Sequence, residues 1–205
     1  MQTKLEKLIS QYRELGIDKQ IDYDKFYLYS LITHSTAIEG STITELENQI
    51  MFDQGISLKG KSMAELNMNL DLKNAYENAV KLANTHADIS IDLLKDFSAL
   101  VMKNTGQEYK TALGAFSSAR GELRLLNVTT GIGGKSYMNY SKVPAKLSEF
   151  CVWLNKEREN YTHKSTIQLY EISFDAHYHL ATIHPWADGN GRMARLLMNM
   201  LQFEF

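Results

Sequence analysis

Two prolines in 205 residues leave very long stretches in which a helix need never break, and helical periodicity fills those stretches. Apolar residues recur at i, i+3, i+4 and i+7 along most of the chain, which predicts a mainly α fold. Helices are expected over 3–15, 22–36, 43–53, 62–84, 90–103, 143–159, 165–182 and 191–203. The segment 165–183 is apolar on more than one side, through Ile167, Leu169, Ile172, Phe174, Ala176, Tyr178 and Leu180, and is expected to be the buried centre of the bundle. One stretch departs from the pattern. Residues 121–140, GELRLLNVTTGIGGKSYMNY, combine alternation with Thr, Val and the turn-forming Gly131, Gly133 and Gly134, and predict a β-hairpin.

A hydrophobic content of 44% over this length suffices for one core, so 1–205 is expected to form a single domain. Lys and Arg number 22 against 24 for Asp and Glu, giving a formal charge of −2, so no global field draws the chain to nucleic acid or to an anionic membrane. A phosphate site must therefore be built locally. The single Cys151 has no disulfide partner within the chain and lies among Phe150, Val152, Trp153 and Leu154, where a thiol acts as a small hydrophobe. The opening MQTKLEKLISQYRELG lacks the basic-then-apolar order of an export signal, and no apolar run approaches about 18 residues. A cytoplasmic protein without a membrane span is the expectation.

The segment IHPWADGNGRMARLLMN carries the chemistry. Pro185 ends one helix and a second begins near Gly191, leaving a loop with a histidine, a carboxylate, two glycines, an amide and an arginine. Glycines let backbone N–H groups approach a phosphate, and the first turn of the following helix adds unpaired donors, so Gly189, Asn190 and Gly191 are candidates to cradle a diphosphate. Arg192 and Arg195, three apart, share roughly one helix face on which guanidinium groups can fork onto phosphate oxygens. Asp188 is the natural ligand for an Mg²⁺ that arrives with the nucleotide. His184 has an ordinary pKa near ~6.5 and can, when neutral, take a proton from a hydroxyl. His177 and His179 stand two apart on a helix and point to different faces, which suits packing better than metal binding.

The run HPWADGNGR followed by MAR resembles the signature of Fic (Fido) domains, HPFx(D/E)GNGRxxR, differing only at Trp186, where another large ring keeps a buried anchor. The resemblance implies a Fic-type helical bundle with a small β-hairpin flap, in which His184 deprotonates a Ser, Thr or Tyr hydroxyl of a target protein. It further implies that Asp188 holds Mg²⁺, that Gly189, Asn190 and Gly191 line the anion hole, and that Arg192 and Arg195 hold the triphosphate of ATP. Kinase-type Doc members carry Lys where this chain has Gly191, so the resemblance favours transfer of AMP over transfer of phosphate. GELR is similar to the Gly-x-x-Arg before the Fic flap, which would make 121–140 the flap and Val128, Thr129, Thr130 and Gly131 the edge that pairs with a target segment.

Residues 35–40, STAIEG, resemble the inhibitory motif (S/T)xxxE(G/N) through Ser35, Glu39 and Gly40, within an inhibitory helix of about 22–40. A carboxylate placed on Arg195 would occupy the guanidinium meant for the γ-phosphate and repel that phosphate. The same Glu39 can also be read as positioning water to remove AMP from a protein, or the whole site as a nucleotide sensor without turnover. Fic proteins usually continue beyond the helix after the loop, whereas this chain stops at Phe205, so part of the adenine pocket is expected to lie outside it. The resemblance also admits a homodimer.

Overall fold

The computed structural model describes residues 4–20, 22–131 and 133–205. Eight α-helices lie among them: α1 (Lys4–Glu14), α2 (Tyr23–Ala37), α3 (Glu45–Gln54), α4 (Met63–Thr85), α5 (Ile91–Val101), α6 (Val143–Arg158), α7 (Thr166–Ile183) and α8 (Asn190–Glu204). Each expected helix is present within a few residues; the expected start of the first, at residue 3, lies outside the described residues.

The helix starts follow from local chemistry. Thr44 with Glu47, Ser62 with Glu65, and Ser165 with Gln168 form reciprocal capping boxes at α3, α4 and α7. Helix α8 differs: its N-cap is Gly189, in a left-handed conformation and with no side chain to bond the first turn. Its leading N–H groups are thus left for another partner.

The core forms where α8 packs against α4 and α7. Leu72 and Ala75 of α4, Ala176 of α7, and Met193, Ala194 and Leu201 of α8 are all fully buried. Removing a side chain such as Leu72 should cost about 2–5 kcal/mol, since lost transfer energy and the cavity left behind add together. The central position belongs to α8 and not to α7, which corrects the reading of 165–183 as the buried centre of the bundle. Tyr170, Phe174 and Tyr178 are 41%, 53% and 65% exposed, because their i, i+4, i+8 spacing lines them on the face opposite Ile172, Ala176 and Leu180.

The β structure also departs from expectation. The two-stranded antiparallel sheet is β1 (Glu108–Thr111) with β2 (Gly114–Ser117), stiffened by Tyr109 stacked on Phe116 at 4.9 Å. The described residues of 121–140 form a loop in which one isolated bridge, Thr129 to Ser136, is flanked by Thr130 N donating to Lys135 O and Tyr137 N to Val128 O. Residue 132 of that expected hairpin lies outside the described residues.

A buried polar cluster fixes the end of α2. Thr36 Oγ1 donates to Asn69 Oδ1 at 2.9 Å, Asn48 Nδ2 to Thr33 Oγ1 at 2.7 Å, and Asn69 Nδ2 to Ser41 Oγ at 3.0 Å. These bonds tie α2, α3 and α4 together beside residues 35–40, although Asn48 Oδ1 is buried without a partner. No helix among the described residues is long and apolar enough to cross a membrane.

Candidate active site

Helix α7 ends at His184, whose φ of 52° and ψ of 62° place a non-glycine residue in the left-handed region. That conformation costs on the order of 1–3 kcal/mol and persists only where neighbours enforce it. Arg124, itself fully buried, supplies the enforcement: its backbone N–H donates to Pro185 O at 3.1 Å and its Nε to His184 O at 2.7 Å. The same guanidinium donates to Leu126 O and Met138 O at 2.8 and 2.5 Å. One arginine therefore staples both ends of the 121–140 loop to the turn that carries His184.

The loop from His184 to Gly189 is rigid for equally local reasons. Trp186 is fully buried and its Nε1 donates to Gly121 O at 3.0 Å. Its backbone N–H donates to Asn190 Oδ1 at 3.0 Å while Asn190 Nδ2 donates to Trp186 O at 2.9 Å. The Asn190 side chain is thereby consumed in closing the loop, and only its backbone faces a ligand. Gly189 has φ 78°, and a Cβ there would lie 2.5 Å from Met102 Sδ, so glycine is demanded by conformation and by space.

His184 is half-buried, and its Nδ1 lies 3.4 Å from Ala181 O. Burial pulls its pKa below the ordinary histidine value; Arg124 acts in the same direction, while the Ala181 carbonyl and Asp188 oppose. The imidazole is neutral at pH 7 and competent as a base. Tyr137 stacks on it with ring centroids 3.7 Å apart and planes 19° from parallel.

Asp188 is exposed, and its Oδ1 accepts from Gly189 N at 2.6 Å. Arg192 is only 3% exposed; its Nη1 donates to Val101 O at 3.4 Å and its Nη2 contacts Met102 Sδ at 3.0 Å, while its Nε has no partner. An unpartnered buried donor beside an open helix N-terminus is a feature that an anion would satisfy. Arg195 instead turns to α2: Nε donates to Ser35 Oγ at 2.8 Å, and Nη2 to Ser35 O at 3.0 Å and to Glu39 Oε1 at 2.6 Å. Gly40, with φ 97°, turns the chain away directly afterwards. Gly191 lies beneath this pair, for a Cβ there would stand 2.8 Å from Glu39 Oε1 and 3.0 Å from Arg195 Nη1.

The structure thus brings His184, Asp188, Gly189, Asn190, Gly191, Arg192 and Arg195 into one loop and helix start, and sets Ser35 and Glu39 against its last arginine. On the flap, Val128 O and Thr130 N are used within the loop, whereas Thr129, Thr130 and Gly131 are exposed. Antiparallel pairing at the Thr129–Ser136 bridge turns the Thr129 N–H to the outer edge. Sequence reasoning missed Tyr137 and Met102, which lie far from the loop in the chain and carry no motif of their own. His179 packs edge-on against Trp153, and burial holds His177 below its ordinary pKa; among the described residues no three His, Cys, Asp or Glu side chains form a metal cage.

Residues 88–202 match the sequence profile described as the Fic/DOC family. Among curated proteins the chain is similar to protein adenylyltransferase fic-1 of Caenorhabditis elegans, 30% identical over 180 residues, covering 87% of this chain and 32% of that protein. It is also similar to protein adenylyltransferase Fic of Drosophila melanogaster, 34% identical over 173 residues, covering 83% of this chain and 31% of that protein. The chain spans about a third of the length of these curated relatives. A solved segment of C. elegans Fic-1 superposes with a TM-score of 0.67 at 28% identity, covering 89% of this chain and 48% of that one. A Fic domain containing signaling protein from Bacteroides thetaiotaomicron gives 0.79 at 20% identity, covering 98% and 73%, a likeness of fold alone.

Proposed function

Since the chain belongs to the Fic/DOC family, we propose that it transfers AMP from ATP to a hydroxyl side chain of another protein, and that Glu39 restrains the reaction. The observation that carries this reading is one juxtaposition: a half-buried His184, held below its ordinary pKa, stands at the head of the short loop that leads into the uncapped start of α8, where the buried Arg192 keeps an unpartnered Nε.

The geometry suits an in-line displacement. An incoming Ser, Thr or Tyr hydroxyl gives its proton to Nε2 of His184 as its oxygen attacks the α-phosphorus. The bond from that phosphorus to its bridging oxygen breaks, and pyrophosphate leaves. The backbone N–H groups of Asn190 and Gly191 and the Arg192 guanidinium hold phosphate oxygens, fixed in place beforehand by Trp186, Asn190 and Met102. Gly191 leaves room above the helix start that a larger residue would fill. Asp188, a single exposed carboxylate beside this cradle, fits a hard cation that is otherwise bound by substrate phosphates. Asp188 would hold Mg²⁺ there, and the ion would supply charge neutralisation to the phosphates it shares.

Restraint follows from what Arg195 touches. While its guanidinium is engaged by Ser35 and Glu39, it is unavailable to a γ-phosphate, and the Glu39 carboxylate repels one. The buried Cys151 thiol, pushed up to about 11 by desolvation, takes no part and suits a reducing, cytoplasmic setting.

The test incubates wild type, Glu39→Gly and Glu39→Gly/His184→Ala with Mg²⁺ and ATP labelled at the α-phosphate, together with a cell lysate as source of acceptors. Protein-bound label should rise in Glu39→Gly and vanish in the double variant. Label from γ-labelled ATP would overturn AMP transfer in favour of phosphate transfer. Equal label in wild type and Glu39→Gly would remove the restraint and leave the activity.

A further inference from the structure

A flap that serves only to clamp a target would need nothing on the base itself, yet the 121–140 loop lays one of its side chains flat on the imidazole. Tyr137 is half-buried, its ring parallel to His184 within 19° and at a centroid distance of 3.7 Å. A ring at that distance blocks one face of the imidazole and leaves both in-plane nitrogens open. One of those, Nδ1, faces Ala181 O at 3.4 Å, a contact that only a protonated Nδ1 can make by donation. The lone pair is then on Nε2, and the plane in which it points is the plane set by Tyr137. The long Nδ1 contact is too weak to fix the ring by itself.

Tyr137 is in turn tied to the segment expected to receive a target. Its N–H donates to Val128 O at 3.0 Å, next to the exposed Thr129 of the isolated bridge. The next carbonyl, Met138 O, accepts from the Arg124 guanidinium that also binds His184 O. Edge, tyrosine and histidine are therefore joined by one run of contacts.

We propose that Tyr137 is a positioning residue for His184, and that the flap thereby couples docking of the target to alignment of the base. The coupling rests on the reading of His184 as general base. A segment added to the Thr129 edge stiffens the loop, the loop holds the tyrosine over the imidazole, and Nε2 is presented to the docked hydroxyl. Removing the ring frees rotation of the imidazole about its side-chain bonds and spoils the alignment, leaving the phosphate cradle on α8 as it was. The groups that face His184, namely Arg124, Asp188 and the Ala181 carbonyl, are untouched by such a change.

The experiment compares Tyr137→Phe, which keeps a stacking ring, with Tyr137→Leu, which keeps bulk without one, both in the Glu39→Gly background. Imidazole ¹H and ¹⁵N resonances of His184, assigned by their loss in His184→Ala, read the stack and the tautomer without any turnover. Wild type and Tyr137→Phe should show carbon-bound imidazole protons shifted upfield by the ring current, with Nδ1 protonated and Nε2 bare. Tyr137→Leu should lose the shift and show mixed tautomers. Its kcat for transfer from α-labelled ATP should fall about tenfold to a hundredfold, as for a misplaced catalytic group, while KM for ATP stays within twofold. Tyr137→Phe should restore kcat. A wild-type spectrum without the upfield shift, or a Tyr137→Leu variant with unchanged kcat, overturns the proposal; a raised KM at unchanged kcat does so too, by making Tyr137 a nucleotide contact. If even Glu39→Gly transfers no label, the activity reading falls, and the resonances alone decide whether Tyr137 aligns the imidazole.

Discussion

Arg195 Nη2 and Glu39 Oε1 meet at 2.6 Å across 156 residues of sequence, joining the turn after α2 to α8. The two side chains remain 18% and 30% exposed, so solvent screens the pair and its worth to folding is about 0–1 kcal/mol. Glu39→Gln should therefore leave the urea midpoint nearly unmoved while raising the rate of AMP incorporation. A large fall in stability without a gain in rate would make the contact structural.

The depressed pKa of His184 has a calculable sign. Protonation removes the base, so activity should rise with pH along a limb centred below the ordinary histidine value of ~6.5 and be flat through neutrality. Stability has the same polarity, because the unfolded chain takes up this proton more readily than the folded one. The contribution of His184 is present above the unfolded pKa and is lost as pH falls through the folded one. Titration of the imidazole by NMR, in wild type, checks the limb against the group itself.

Trp186 occupies the place of the phenylalanine usual in the resembled motif, and here its indole N–H has work to do at Gly121 O. Trp186→Phe should cost about 1–3 kcal/mol by leaving that buried carbonyl unpartnered, and Trp186→Ala about 3–5 kcal/mol through the cavity it creates. Urea unfolding followed by far-UV circular dichroism measures both. A Trp186→Phe variant as stable as wild type would show that packing alone matters at this position, and equal costs that the indole N–H carries the effect.

Arg158 and Glu204 form an ion pair whose side chains are 6% and 2% exposed, with Nη2 to Oε2 at 2.8 Å and further bonds from Arg158 to Asn155 and Ala87 O. Glu204→Ala strands a buried guanidinium and should destabilise by about 3–5 kcal/mol. Replacing both partners together, as Arg158→Met with Glu204→Leu, should recover most of that loss. A thermal or urea melt of the single and double variants decides it, and failure of the double variant to recover would point to the Ala87 contact instead.

The site was readable to the extent that its chemistry is contiguous. His184 to Arg195 stand in one run, and Ser35 to Gly40 in another, so residue type and spacing sufficed to name them. The contact between the two runs followed from charge. What stayed hidden is held by single side chains reaching across the fold: Met102 under Gly189, Tyr137 over His184. The 121–140 loop was read as a ladder because its composition is that of a hairpin. In the fold, Arg124 takes three of the carbonyls around it and replaces most strand pairing with side-chain bonds. The real hairpin went unseen because each strand has four residues, too few for alternation to stand out. The exposed stripe on α7 was misjudged because hydrophobicity tells how apolar a helix is and not how many of its sides find neighbours.

Gly191 lies under both the cradle and the carboxylate that closes it: a Cβ there would stand 2.8 Å from Glu39 Oε1 and 3.0 Å from Arg195 Nη1, the tips of two flexible side chains. The cradle and the proposed brake consequently share one position: a larger residue at 191 would press on Glu39 and Arg195 together, so a single substitution there would be felt by both.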